Sequence, residues 1–102
     1  MDLTQKDWSA NSKSKPNNVI IDVRTPQEYI EGYIKDAKNI NIYDSTDFIE
    51  KVKSFSKKDD IYLYCKSGAR SSAACQIMGQ LGFENVFNLR GGITDWKEEV
   101  IK

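Results

Sequence analysis

With 102 residues, 39% of them hydrophobic and 29% charged, the chain has an ordinary globular balance, the length of a single domain over residues 1–102, and room for one modest core. Lys+Arg and Asp+Glu are both 15, so the formal net charge is zero and no nucleic-acid partner is expected. No apolar run approaches the roughly 18 residues of a membrane span, and Met1–Ala10 carries Asp2, Lys6 and Asp7 without an apolar stretch, so no signal peptide, no membrane partner and a cytoplasmic location are expected.

In chain order, Thr4 to Asp7 resembles a capping box opening a short helix that carries Trp8. Asn11 to Asn18 is polar, contains Pro16 and reads as a loop. Val19-Ile20-Ile21-Asp22-Val23 is a buried strand. Thr25-Pro26-Gln27-Glu28 starts a helix, with Thr25 as N-cap, Pro26 in the first turn and Glu28 closing a capping box. Gly32 can end it in a left-handed conformation. Asn39 to Ile42 alternates polar and apolar and predicts a short strand. A helix from about Ser45 then places Phe48, Ile49, Val52 and Phe55 on one face.

After a charged turn at Lys57 to Asp60, Ile61-Tyr62-Leu63-Tyr64 is a strand that runs directly into Cys65. From about Ser71 to Leu81 the spacing of Ala74, Ile77, Met78 and Leu81 predicts a helix, stopped by Gly82. Val86 to Leu89 is a last strand. Gly91-Gly92 then turns the chain into a predicted helix with Ile93, Trp96 and Val100 on one side. Strands alternating with helices predict an α/β fold with a parallel sheet covered by helices. Ligands of such sheets bind beyond the carboxyl ends of the strands, which is where Cys65 lies.

The chain has no histidine, so no Ser-His-Asp triad, Cys-His dyad or histidine metal ligand exists. Its two cysteines are too few for a structural zinc site, and no metal or cofactor is expected. Any cysteine chemistry must activate the thiol without an imidazole. The segment Cys65-Lys66-Ser67-Gly68-Ala69-Arg70 has the means. Small residues at Ser67, Gly68 and Ala69 let successive backbone N–H groups turn inward. The next helix adds its positive end, and Lys66 and Arg70 add charge. All of these favour a thiolate, or a persulfide anion, at Cys65. The blander reading is a buried cysteine that merely ends a strand. Arg70 is suited equally to clamping an anion or to pairing with a neighbouring carboxylate. Asp22 and Arg24 read best as a pair that pins loops, and Cys75 reads as core packing, roughly 10 Å or more from Cys65 along the helix.

Tyr64-Cys65-Lys66-Ser67-Gly68-Ala69-Arg70-Ser71 resembles the active-site loop of the rhodanese (thiosulfate sulfurtransferase) family. Ile21-Asp22-Val23-Arg24 with Glu28 to Ile34 resembles that family's first signature. Gly82 to Val86, then Leu89-Arg90-Gly91-Gly92-Ile93 and Trp96, resembles its C-terminal one; together the segments span about residues 19–96. The resemblance implies a single-domain member with an open, five-stranded parallel sheet flanked by helices on both faces. It implies Cys65 as nucleophile, Lys66 to Arg70 as the substrate loop, and Asp22, Arg24 and Ser71 in support. The partners it implies are a small anionic sulfur donor such as thiosulfate and a sulfur acceptor: cyanide, a thiol or a protein. Tyr33 stands where many members have histidine, and Lys35-Asp36 where many have Pro-Gly, which bears on substrate preference. Two other functions share these features. Cys-loop phosphatases and arsenate reductases usually carry a loop one residue longer than the four residues between Cys65 and Arg70. Rhodanese-like binding or regulatory modules often lack the cysteine.

Overall fold

Val19-Ile20-Ile21-Asp22 and Ile61-Tyr62-Leu63-Tyr64 are buried at every position, as strands covered on both faces must be. In the computed structural model, which describes residues 1–102, they form β2 (Val19–Asp22) and most of β5 (Asp60–Tyr64). The other elements are β1 (Asp2–Leu3), α1 (Gln5–Ser12), α2 (Pro26–Ile30), β3 (Tyr33–Ile34), β4 (Lys38–Asn39), α3 (Ser45–Val52), α4 (Ala69–Gln80), β6 (Asn85–Leu89) and β7 (Val100–Ile101). The main sheet has five strands in the order β1-β6-β5-β2-β4, all parallel. No helix is long and apolar enough to cross a membrane.

The two-residue alternation of a strand sorts the core into two layers. Val19, Ile21, Val23, Ile61, Leu63 and Cys65 pack with Phe48 and Val52 of α3 and Ala74, Cys75 and Met78 of α4. Ile20, Tyr62, Tyr64 and Leu89 pack on the opposite side around Trp8 of α1. The Trp8 ring meets Tyr62, Tyr64 and Trp96 edge-on at 6.0, 6.0 and 5.6 Å. Helices therefore flank both faces, as the resemblance implied.

Several elements differ from the sequence expectations. The fifth strand, β1, lies within a segment whose only anticipated structure was a short helix. Its two residues pair with Asn88 and Leu89, and two residues carry no periodicity to read. Helix α1 continues to Ser12, where a loop was expected, because Ser12 is buried and its hydroxyl donates back to Ser9 O at 3.0 Å. The strand expected over Asn39 to Ile42 is only Lys38–Asn39, although Ile40 and Ile42 still donate to Asp22 O and Val23 O at 2.9 and 3.1 Å. Helix α3 ends before Phe55, and α4 begins two residues before Ser71. The helix expected after Gly92 is absent. Ile93–Asp95 makes a single 3-10 turn, Trp96 is extended (φ −67°, ψ 127°), and β7 pairs antiparallel with β3. The β-branched pair Val100-Ile101 is suited to a strand, and a partner at Tyr33–Ile34 outweighs the helical spacing of Ile93, Trp96 and Val100.

The carboxyl end of β2 is held by a buried ion pair. Arg24 Nε and Nη2 both donate to Asp22, the shortest contact being 2.6 Å, and Nη2 also donates to Gly32 O at 2.6 Å. Asn39 Nδ2 ties the same corner to β4 through Asp22 O and Arg24 O at 3.1 and 2.9 Å. Asp22 is fully buried, so removing its partner strands a charge in the core. Arg24→Ala is expected to cost about 3–5 kcal/mol in urea unfolding. A loss below about 1 kcal/mol, the range of an exposed pair, would contradict this reading.

Candidate active site

Cys65 follows the last residue of β5 and is only 1% exposed. The chain then curls through Lys66, Ser67 and Gly68 into α4. Gly68 sits at φ 108°, a conformation that L side chains avoid, and this turn aims its N–H at Cys65 Sγ from 3.0 Å. Ser71 Oγ lies 3.4 Å from the same sulfur. Because α4 begins at Ala69, Ser71 falls in its first turn, where backbone N–H groups have no partner within the helix.

Two opposing effects act on the thiol. Burial pushes the Cys65 pKa up; hydrogen bonds from the Ser71 hydroxyl and from the N–H groups of Ser71, Gly68 and Ser67 pull it down. The hydrogen bonds prevail, and the thiol is held below its ordinary value. Neither cation of the loop hydrogen-bonds the sulfur. Lys66 is exposed on the rim. Arg70 is engaged elsewhere: Nη1 and Nη2 donate to Glu28 Oε1 and Oε2 at 2.7 and 3.0 Å, and the guanidinium lies 5.5 Å from the Tyr43 ring centre. Of the two roles open to Arg70 from sequence, the structure has it paired with a carboxylate. The Arg70 guanidinium, with Thr25 hydrogen bonds, in turn holds the Glu28 carboxyl at about 2.

The other expected residues divide clearly. Ala69 is the first residue of α4 and exposed, while Ser71 is fully buried beside the sulfur. Asp22 and Arg24 pair with each other in the core corner described above. Cys75 is buried within α4, and burial pushes its thiol up to about 11, so it stays protonated at neutral pH. Tyr33 stacks on Tyr29, ring centres 4.2 Å apart.

Two features were missed in the sequence. A second loop braces the first: Ile93 N donates to Cys65 O and Thr94 N to Lys66 O, both at 3.0 Å. Gly92 makes this approach possible, since a Cβ there would stand 2.7 Å from Cys65 O and closer still to the Lys66 carbonyl. Asn88, one polar residue between Phe87 and Leu89 in an otherwise apolar strand end, accepts from Ser71 Oγ and donates to Asp2 and Gly68. A buried polar residue in such a strand was the available signal.

The arrangement can stabilise one anionic sulfur. The chain matches the rhodanese-like domain family over residues 5–99. It is 39% identical over 79 residues to a sulfurtransferase of Allochromatium vinosum, covering 76% of this chain and 70% of that protein. It is 32% identical over 98 residues to the tRNA uridine(34) hydroxylase of Agrobacterium fabrum, covering 93% of this chain but 31% of that longer protein. Among solved structures, a rhodanese-related protein from Thermoplasma volcanium superposes with a TM-score of 0.83 at 31% identity, over 98% of this chain and 96% of that one.

The brace gives a direct check of the site's geometry. Gly92→Ala is expected to push the two loops apart and turn the N–H donors from the sulfur. Its Cys65 alkylation midpoint should rise toward the ordinary thiol value of about 8.5. An unchanged midpoint in a folded Gly92→Ala variant would show that the brace does not position the cradle.

Proposed function

This chain belongs to the rhodanese-like domain family, and on that footing we propose that it is a sulfurtransferase in which Cys65 carries the sulfur. The Cys65 thiolate attacks the outer sulfur of an anionic donor such as thiosulfate. The S–S bond of the donor breaks, sulfite leaves with the electron pair, and Cys65 becomes a persulfide anion. An acceptor thiolate or cyanide then attacks the outer sulfur, and the Cys65 thiolate departs. Lys66 on the rim attracts the donor, while Ser67, Gly68 and Ser71 hold the charge that moves between the two sulfurs.

The observation that carries this reading is the set of N–H and O–H donors converging on Cys65 Sγ, in a chain with no histidine to act as base. A prepared thiolate needs no base at the moment of attack. The geometry favours sulfur transfer over phosphoryl transfer, because Arg70 is bound by both carboxylate oxygens of Glu28 rather than turned toward an oxyanion. It favours an enzyme over a binding module, because a module has no use for a thiol held below its ordinary value.

Incubation with thiosulfate is expected to add one sulfur, about 32 Da, at Cys65, removable by cyanide or dithiothreitol. Cys65→Ser should abolish the adduct and Cys75→Ser should leave it, while aryl phosphates should be turned over negligibly. An adduct that maps to Cys75, or brisk phosphatase turnover, would overturn the assignment.

A further inference from the structure

Ser71 has one hydroxyl proton and three acceptors around it. Its Oγ lies 3.4 Å from Cys65 Sγ, 3.2 Å from Gly68 O, and in hydrogen-bond contact with Asn88 Oδ1. The Asn88 amide is not free to turn over. Its Nδ2 faces Asp2 Oδ1 at 3.0 Å and Gly68 O at 3.3 Å, a carboxylate and a carbonyl that can only accept. The amide oxygen must therefore face Ser71. Gly68 O is already served by Ser72 N at 3.0 Å and by Asn88 Nδ2, whereas Asn88 Oδ1 depends on Ser71. While Cys65 is a thiol, the Ser71 proton belongs on Asn88, and the S–H can point at Ser71 Oγ. Once Cys65 ionises, the sulfur can only accept, and Ser71 must turn from Asn88 to serve it.

We propose that Asn88 is a positioning residue for Cys65 that acts through Ser71: its amide oxygen competes with the sulfur for the one Ser71 hydroxyl proton and so sets how readily the thiolate forms. Its importance for turnover rests on Cys65 being the reacting thiol. Cys65 loses its proton to solvent, while Ser71 keeps its own and rotates about the Cβ–Oγ bond, so no other covalent bond changes. The charged groups of the elements around this contact are Asp2 of β1, bound by the Asn88 amide, Arg70 of α4, bound to Glu28 of α2, Lys66 in the loop, and Asp95 beside Gly91. The contacts of Ser71 Oγ itself are two neutral oxygens and the sulfur, so the competition is local. Through Asn88 it reaches the sheet edge, where Asp2 holds the amide in the competing orientation.

The test is the pH midpoint of Cys65 alkylation in a Cys75→Ser background. Asn88→Leu keeps the side chain's shape and removes the competing acceptor. Its midpoint is expected to fall by roughly half to one pH unit, the worth of one neutral hydrogen bond. In a Ser71→Ala background, where there is no proton to compete for, Asn88→Leu should leave the midpoint unmoved. Asp2→Ala, on the exposed edge strand, should lower it by less, and again only when Ser71 is present, which supplies the same comparison if Asn88→Leu fails to fold. A midpoint that stays or rises with Ser71 present, or that falls equally without it, overturns the proposal. Alkylation reads the thiol whether or not sulfur is transferred. An unmodified protein that takes no sulfur from thiosulfate would therefore overturn the sulfurtransferase reading and not this one.

Discussion

An anionic sulfur in the interior of a protein without histidine must be stabilised by hydrogen-bond donors close at hand, and here those donors are the Ser71 hydroxyl and the backbone N–H groups of the loop. Burial alone would raise the Cys65 pKa, because a desolvated charge is costly. The cradle reverses that only while the Cys65 to Ser71 segment keeps its curl. Much of the fold serves this single requirement. Strand β5 is paired on both sides, by β2 and β6, which fixes where Cys65 emerges. The Gly92 loop presses on the Cys65 and Lys66 carbonyls. The first turn of α4 brings Ser71 under the sulfur, and Asn88 and Asp2 anchor that serine from the neighbouring strands.

The charged residues near the site mainly shape it. Arg70 is spent on Glu28, which also caps α2 by accepting from Thr25 N and Oγ at 3.1 Å. That carboxylate thus joins the start of α2 to the start of α4 across the mouth of the loop. Since its carboxyl is held at about 2, the tie is present above the ordinary carboxylate range and is lost only as pH falls toward that value. The Asp22–Arg24 pair does the equivalent work one strand over, deeper in the core. Hydrogen-bond donors act on the sulfur, and the ion pairs hold the frame around it. Lys66, exposed on the rim, is free to meet a donor.

What could be read from sequence was local. The strand at Val19–Asp22, the capping box at Thr25 and Glu28, and the cysteine loop with its small residues before a helix each declare themselves within a few positions. What escaped depends on partners far along the chain. Strand β1 exists because Asp2 and Leu3 meet Asn88 and Leu89, and β7 because Val100 and Ile101 meet Ile34 and Tyr33. Glu28 was legible as a cap but not as the partner of Arg70, 42 positions away. Asn88 became meaningful only when the sheet placed it between Ser71 and Asp2, the latter 86 positions away. The helix expected after Gly92 failed for the same reason, since its helical spacing was locally sound and its partner strand was invisible.

The central claim is that the hydrogen-bond donors of the loop, not a base and not mobile cations, make the Cys65 thiolate. The most direct measurement is the pH dependence of Cys65 alkylation in the Cys75→Ser protein at low and at high salt. The account predicts a midpoint below the ordinary thiol value of about 8.5 that salt hardly moves, because close backbone dipoles in a buried site are screened far less than exposed charges. A midpoint at or above that value would contradict the account, as would a low midpoint that climbs back to it when salt is added.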